Sequence, residues 1–161
     1  MKTIDIVLYM SELVYDIQNK TYLTGEASAN DDNFKHISDI QLSEDEEQVN
    51  QIRRSIENSV KALSNVLADH MPINEEFSTN KLGDNKNLII KLSLPSNFNS
   101  ALTDSISTAM HQYIVNRSIG EWFLITNGPN VESYMTSAAA NINQIRESIS
   151  KRVRPQKQLN I

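Results

Sequence analysis

The chain has 161 residues with four glycines, four prolines and no cysteine; 39% are hydrophobic, 22% are charged, and the net charge is -5. That length suits one domain able to bury roughly 70% of the unfolded chain's surface, the composition excludes collagen-like, fibrous and wholly disordered classes, and the missing cysteines exclude disulfides, thiolate metal sites and cysteine nucleophiles. No apolar run approaches the roughly 18 residues of a membrane span, and Met1-Lys2-Thr3-Ile4-Asp5 leads into an amphipathic pattern with no signal-like apolar stretch, so no membrane partner is expected and the mature chain is expected to start near Met1.

Charge is unevenly placed. Residues 26–47 hold Glu26, Asp31, Asp32, Asp39, Glu44, Asp45, Glu46 and Glu47 against Lys35 alone, a net of -7, whereas residues 146–161 hold Arg146, Lys151, Arg152, Arg154 and Lys157 against Glu147, a net of +4. Two such regions attract each other within a chain or between copies. An acidic chain is a poor general binder of DNA, because affinity for phosphates comes from clustered Lys and Arg, and the basic cluster is the one candidate for such a patch.

In chain order, Ile6, Met10, Leu13 and Ile17, with Val7 and Val14 beside them, predict a first helix over 5–22, with Thr3 as N-cap and Gly25 as its stop. Residues 26–42 contain Asn30-Asp31-Asp32-Asn33 and isolated Phe34, Ile37 and Ile40, which align at neither period and are expected to form an acidic loop. Ser43 with Glu46 reads as a capping box, and Glu44 and Asp45 suit the positive end of the helix dipole. The second helix starts there, carries Val49, Ile52, Ile56, Val60, Leu63 and Leu67, and ends at Pro72.

Residues 73–98 form the expected strand region. Turn-forming Asn80, Gly83, Asp84 and Asn85 precede Leu88-Ile89-Ile90-Lys91-Leu92-Ser93-Leu94, an apolar run ended by Pro95. A lone strand needs a partner, either residues 76–82 as a hairpin arm or an edge from another subunit. Asn99 or Ser100 caps a third helix with Leu102, Ile106, Met110, Tyr113, Ile114 and Val115, bending at Gly120 and continuing through Trp122, Phe123 and Ile125. Pro129 suits the first turn of a fourth helix, whose stripe is Val131, Met135, Ala138, Ile142, Ile145, Ile149 and Val153. The last two helices are expected to pair antiparallel, with Ser137-Ala138-Ala139-Ala140 allowing close approach. The resulting expectation is a mainly α, four-helix antiparallel bundle-like domain over 1–155, with one short strand or β-hairpin between the second and third helices and a basic carboxy-terminal arm at 156–161.

Chemistry is sparse. His36, His70 and His111 stand apart with no second ligand at helical spacing, so no metal site is expected; a backbone carbonyl is the expected partner of His111. Asp69 and His70 are adjacent and point about 100° apart on a helix, which orients no nucleophile. Four glycines build no phosphate loop or nucleophile elbow. Asp45, Glu46 and Glu47 are accounted for by capping and dipole chemistry, and Asn19-Lys20-Thr21 and Asn116-Arg117-Ser118 match a glycosylation triplet by chance. No enzyme activity and no cofactor are expected. Trp122 and Phe123, with Tyr113 and Tyr134, read as an aromatic core in preference to a base-stacking platform, since only Arg117 is near. Tyr9, Tyr15 and Tyr22 on the first helix are either half-buried or subunit-contact residues. The cations Arg152, Arg154 and Lys157 either complement the last helix's dipole or, with apolar Leu159 and Ile161, form an arm that orders from about Arg152 onward on a neighbouring chain.

The run His111-Gln112-Tyr113-Ile114-Val115-Asn116-Arg117, then Glu121-Trp122-Phe123, then a helix ending Arg152-Val153-Arg154-Pro155 resembles small helical virion proteins of tailed bacteriophages and prophages, of the head-tail connector, adaptor or head-completion type. The resemblance covers residues 88–155 and lies in a packing pattern. It implies a multi-copy structural role in the virion, in a ring between portal and tail, assembled in the host bacterium. The implied partners are further copies of the chain, the portal, and neighbouring tail or connector proteins, with DNA only as passing cargo. The partner-binding residues expected are Arg152, Arg154, Lys157, Leu159, Ile161, Tyr9 and Tyr15. The alternative is a cytoplasmic helical adaptor or regulatory protein that binds through the face of the first helix.

Overall fold

The computed structural model describes residues 1–30, 32–73, 80–82 and 87–156, and these are mainly helical with one two-stranded antiparallel sheet. The first departure from the helical periodicity is at the amino end. Lys2–Leu8 form strand β1, with Ile4, Ile6 and Leu8 turned inward and Thr3, Asp5 and Val7 outward. The step from Ile6 to Met10 is four residues, an even number, so it satisfies a strand's period of two as well as a helix turn. The β-branched Thr3, Ile4, Ile6 and Val7 tip the choice toward the pleat.

Helix α1 follows at Met10–Ser28 and buries Met10, Leu13, Ile17, Thr21 and Gly25. Gly25 does not stop this helix. A Cβ there would lie 2.7 Å from Nε2 and 2.8 Å from Cγ of Gln41, so glycine lets the next segment cross α1 closely. That segment is more than a loop, because Phe34–Ile40 form a short helix, α2, which buries Ile37 and Ile40 one turn apart and leaves Phe34 80% exposed. Helix α3, Glu46–Val66, has Asp45 at its N-cap. The Ser43–Glu46 box is replaced by a bond to Gln48: the Ser43 backbone N–H and hydroxyl both donate to Gln48 Oε1, at 2.9 Å each. Ile52, Ile56 and Leu63 are buried as the stripe requires, and a 3-10 turn at Ala68–His70 follows before Pro72.

Strand β2 is Leu88–Leu94, and β1 is its partner, with Ile4 opposite Leu92 and Ile6 opposite Ile90. The pairing lies within one chain. Most of the expected hairpin arm, at residues 76–79, lies outside the described residues. Asn99 accepts from the Ala101 N–H at 3.2 Å, capping a 3-10 turn that leads into α4, Thr103–Thr126. This helix runs unbroken through Gly120, where a Cβ would meet Met135 Cε at 2.7 Å; the glycine admits α5 and makes no bend. Asn127 in the left-handed region ends α4. Asn130, and not Pro129, opens α5 at Val131–Ser150. The two helices lie antiparallel: Asn116 Nδ2 donates to Asn141 Oδ1 at 3.0 Å, and the Phe123 and Tyr134 rings stand 5.6 Å apart. Of the small run, Ala138 alone is buried.

After α5 the chain turns away, and Val153 is exposed where a continued stripe would bury it. Its N–H donates to Asn97 O at 2.9 Å, while the Asn99 N–H donates to Lys151 O at 3.4 Å. The chain is therefore fastened to itself as far as Val153, and an arm that orders only on a neighbour cannot begin at Arg152. The described residues hold five α-helices where four are expected, the addition being α2. One apolar core draws on all five helices and both strands.

Helical and strand readings of the amino end differ measurably. Ile6→Ala is expected to cost about 2–5 kcal/mol in denaturant unfolding, and Val7→Ala, on the outer face, about 0.5 kcal/mol or less. Equal losses at both positions would contradict the alternation.

Candidate functional site

A cleft of about 480 Å³ lies where the end of β1, α1 and α4 meet. Helical spacing lines its walls: Glu12, Asp16 and Lys20 repeat every four residues on α1, while Ser107, Thr108 and His111 share one face of α4. Across it, His111 Nε2 and Asp16 Oδ2 are 2.6 Å apart, with the side chains 26% and 39% exposed. The partner of His111 is thus a carboxylate from another helix and not a backbone carbonyl.

The geometry of this pair favours clamping over activation. In a Ser-His-Asp triad the carboxylate holds Nδ1 and leaves Nε2 facing the nucleophile. Here Asp16 occupies Nε2, and neither the Ser107 nor the Thr108 hydroxyl is bonded to the ring. Among the described residues no three His, Asp or Glu side chains gather as a metal would require. No helix among them is long and apolar enough to cross a membrane.

The two tyrosines read together as partner-binding are placed apart. Tyr9 precedes α1 and lines the His111 cleft, whereas Tyr15 faces a shallow groove with Gln18, Asn19, Tyr22, Leu42 and Glu44. Arg152 is engaged with its own chain: Nη1 donates to Ile149 O at 2.7 Å and Lys151 O at 3.1 Å, closing the end of α5. Arg154 is exposed, with no ion pair among the described residues. Lys157, Leu159 and Ile161 lie outside the described residues.

The aromatic cluster is core. Trp122 is 5% exposed and its indole N–H donates to Ile40 O at 2.8 Å, tying α4 to the end of α2. Burial raises the Tyr113 phenol above its ordinary 10.0; the Arg117 guanidinium opposes this and the Glu121 carboxylate adds to it. Asp45, Glu46 and Glu47 are exposed at the start of α3, as dipole chemistry expects.

The chain matches no protein-family model, no curated protein and no solved structure.

Two measurements test these sites. In a double-mutant cycle of Asp16→Ala and His111→Ala, a coupling of about 0.5–1 kcal/mol is expected, since the pair is partly exposed; additive losses would mean that the bond holds nothing. For Tyr113 the folded state keeps its proton at higher pH than the unfolded chain, so its contribution is complete below pH 10.0 and disappears as pH rises through the higher folded value. Tyr113→Phe should flatten the alkaline fall in stability, and an unchanged profile would refute the assignment.

Proposed function

We propose that this chain is a non-catalytic structural subunit of a tailed phage or prophage virion, joining copies of itself into a connector or adaptor ring between portal and tail. The observation that carries the reading is the outer face of α1. Tyr15 and Tyr22 are 62% and 52% exposed and line one groove together with the polar Gln18, Asn19 and Glu44, and Leu23 is exposed beside them. Large amphipathic rings at the centre of a polar rim are the composition of a protein-protein contact, where a few aromatic anchors supply most of the affinity.

The arrangement of the four long helices supports the bundle-like architecture of this reading. Asp16 meets His111, and Thr24 Oγ1 lies 2.9 Å from the hydroxyl of Tyr134, whose ring packs on Phe123, so α1 runs in the direction of α4. Helix α5 runs the opposite way. The start of α3 lies near α1's Thr21, through Leu42, and its end lies by Arg146 and Ile149 of α5, so α3 also opposes α4. Consecutive long helices thus alternate up and down, with α2 as an accessory. The acidic balance suits a protein past which DNA moves without sticking.

The test is sedimentation velocity with electron microscopy of the purified chain, alone and with the portal protein of the same genome. A closed ring, or binding to the portal ring, is expected. Tyr15→Ala with Tyr22→Ala should weaken the assembly by about tenfold or more. A stable monomer that ignores the portal but binds a small cytoplasmic protein through α1 would replace this reading with the adaptor.

A further inference from the structure

The two ends of helix α3 lie in surroundings of opposite charge: its own carboxylates at the amino end, and cations of α5 and of the residues just after it beside the carboxyl end. At the amino end Glu44, Asp45, Glu46 and Glu47 are all exposed, and none of the four carboxylates has an ion-pair partner among the described residues. At the carboxyl end a cleft of about 290 Å³ lies between the 3-10 turn after α3 and the last turns of α5. Its floor includes Leu67 and Ile149, both buried, and its polar wall is Arg146, Arg152, His70 and Ser150. One acid, Asp69, shares the wall.

The balance of that cleft is positive. Arg146 has no ion-pair partner among the described residues, and Arg152 bonds only carbonyl oxygens, through Nη1. Arg154 adds charge just beyond. Two guanidiniums above an apolar floor attract carboxylates more strongly than the same charges in open water, and their planar forks suit carboxylate geometry.

We propose that this cleft receives the acidic tip of α3, formed by Glu44, Asp45, Glu46 and Glu47, from a second copy of the chain. The 21 residues of α3 separate the two surfaces by about 31 Å, so one copy cannot close the contact on itself. Two different patches that meet head to tail generate a ring when the rotation closes. The groove of Tyr15, Tyr22 and Leu42 adjoins Glu44 and gives the contact an apolar flank. This inference rests on the assembly reading above and specifies which surfaces meet.

The experiment uses the full chain in three forms: the parent, Arg146→Glu, and the triple variant E44K/E46K/E47K, with folding checked by circular dichroism. The parent should self-associate at about 50 mM salt and dissociate as salt rises toward about 1 M, where charges are screened within a few ångströms. Each variant alone should lose self-association by about tenfold or more, and an equal mixture of the two should regain it, because each then offers the surface its counterpart needs. Arg146→Gln and the matching Gln triple variant replace any reversal that fails to fold, with a smaller loss expected. Rings that survive both reversals would overturn the docking and leave the assembly reading standing, as would monomers that bind the portal. A parent that neither self-associates at low salt nor binds the portal would overturn both.

Discussion

The constraint on which the fold depends is that α4 is apolar over most of its circumference, with a narrow polar stripe at Asp104, Thr108 and Gln112. Tyr113, Ile114 and Val115 are consecutive, hence spread about 100° apart around the helix, and all three are buried, as are Ile106, Met110, Ile119, Trp122 and Phe123. A helix with so wide an apolar face must be enclosed on most sides. Helix α5 covers one side, α3 and α1 others, and β1 reaches its amino-terminal half. Enclosing Trp122 also buries an indole N–H, which would be costly unbonded, and the Ile40 carbonyl satisfies it. That bond joins α4 to the end of α2, whose Ile37 and Ile40 are themselves buried in the core.

Legibility in the sequence followed burial geometry. Helices α3 and α5 are half-buried, so their stripes stood out against polar residues, and both were recovered with ends shifted by a few residues. Their errors came from extending the stripe past the helix: Val153 sits four residues after Ile149, but Lys151 is already extended at ψ 139. The amino end is ambiguous because Ile6 and Met10 satisfy both periods, and the β-branched residues together with the need of β2 for a partner, which sets Asp5 opposite Lys91, decide for a strand. Sequence reasoning recognised that need but looked for the partner nearby or in another subunit. Helix α2, at seven residues, is too short to display a period. At the candidate cleft, Glu12, Asp16 and Lys20 carry a visible four-residue spacing, yet His111 lies 95 residues from Asp16 and nothing local joins them.

Several long-range polar contacts among the described residues sit where elements must be placed relative to one another. The Asp16–His111 pair fixes α1 against α4, and the Thr24–Tyr134 bond fixes α1 against α5. Lys2 Nζ, 2.8 Å from Ser100 Oγ and 3.3 Å from Phe98 O, fastens β1 beside the segment that also holds Val153. Arg54–Glu57, Arg117–Glu121 and Lys151–Glu147 are ion pairs between residues three or four apart in sequence. Such pairs contribute about 0.2–0.5 kcal/mol each and set no tertiary arrangement.

The charges left over are those that a helix tolerates best. Carboxylates at the start of α3 lie at the positive end of its dipole, and Arg152 at the end of α5 lies at the negative end of that helix, so each is favoured in an isolated copy by a fraction of about 1 kcal/mol. An acidic tip and a basic cleft placed this way need no partner in order to fold, and the core, built from α4 outward, makes no use of them. Folding and the proposed assembly can therefore be separated: core residues decide whether the chain folds, and the exposed charges are free of that task. A surface whose charges are neutral or favourable to the monomer can be tuned for a neighbour without loss of stability. For the assembly proposed above, that separation would let the chain persist alone before it joins its neighbours.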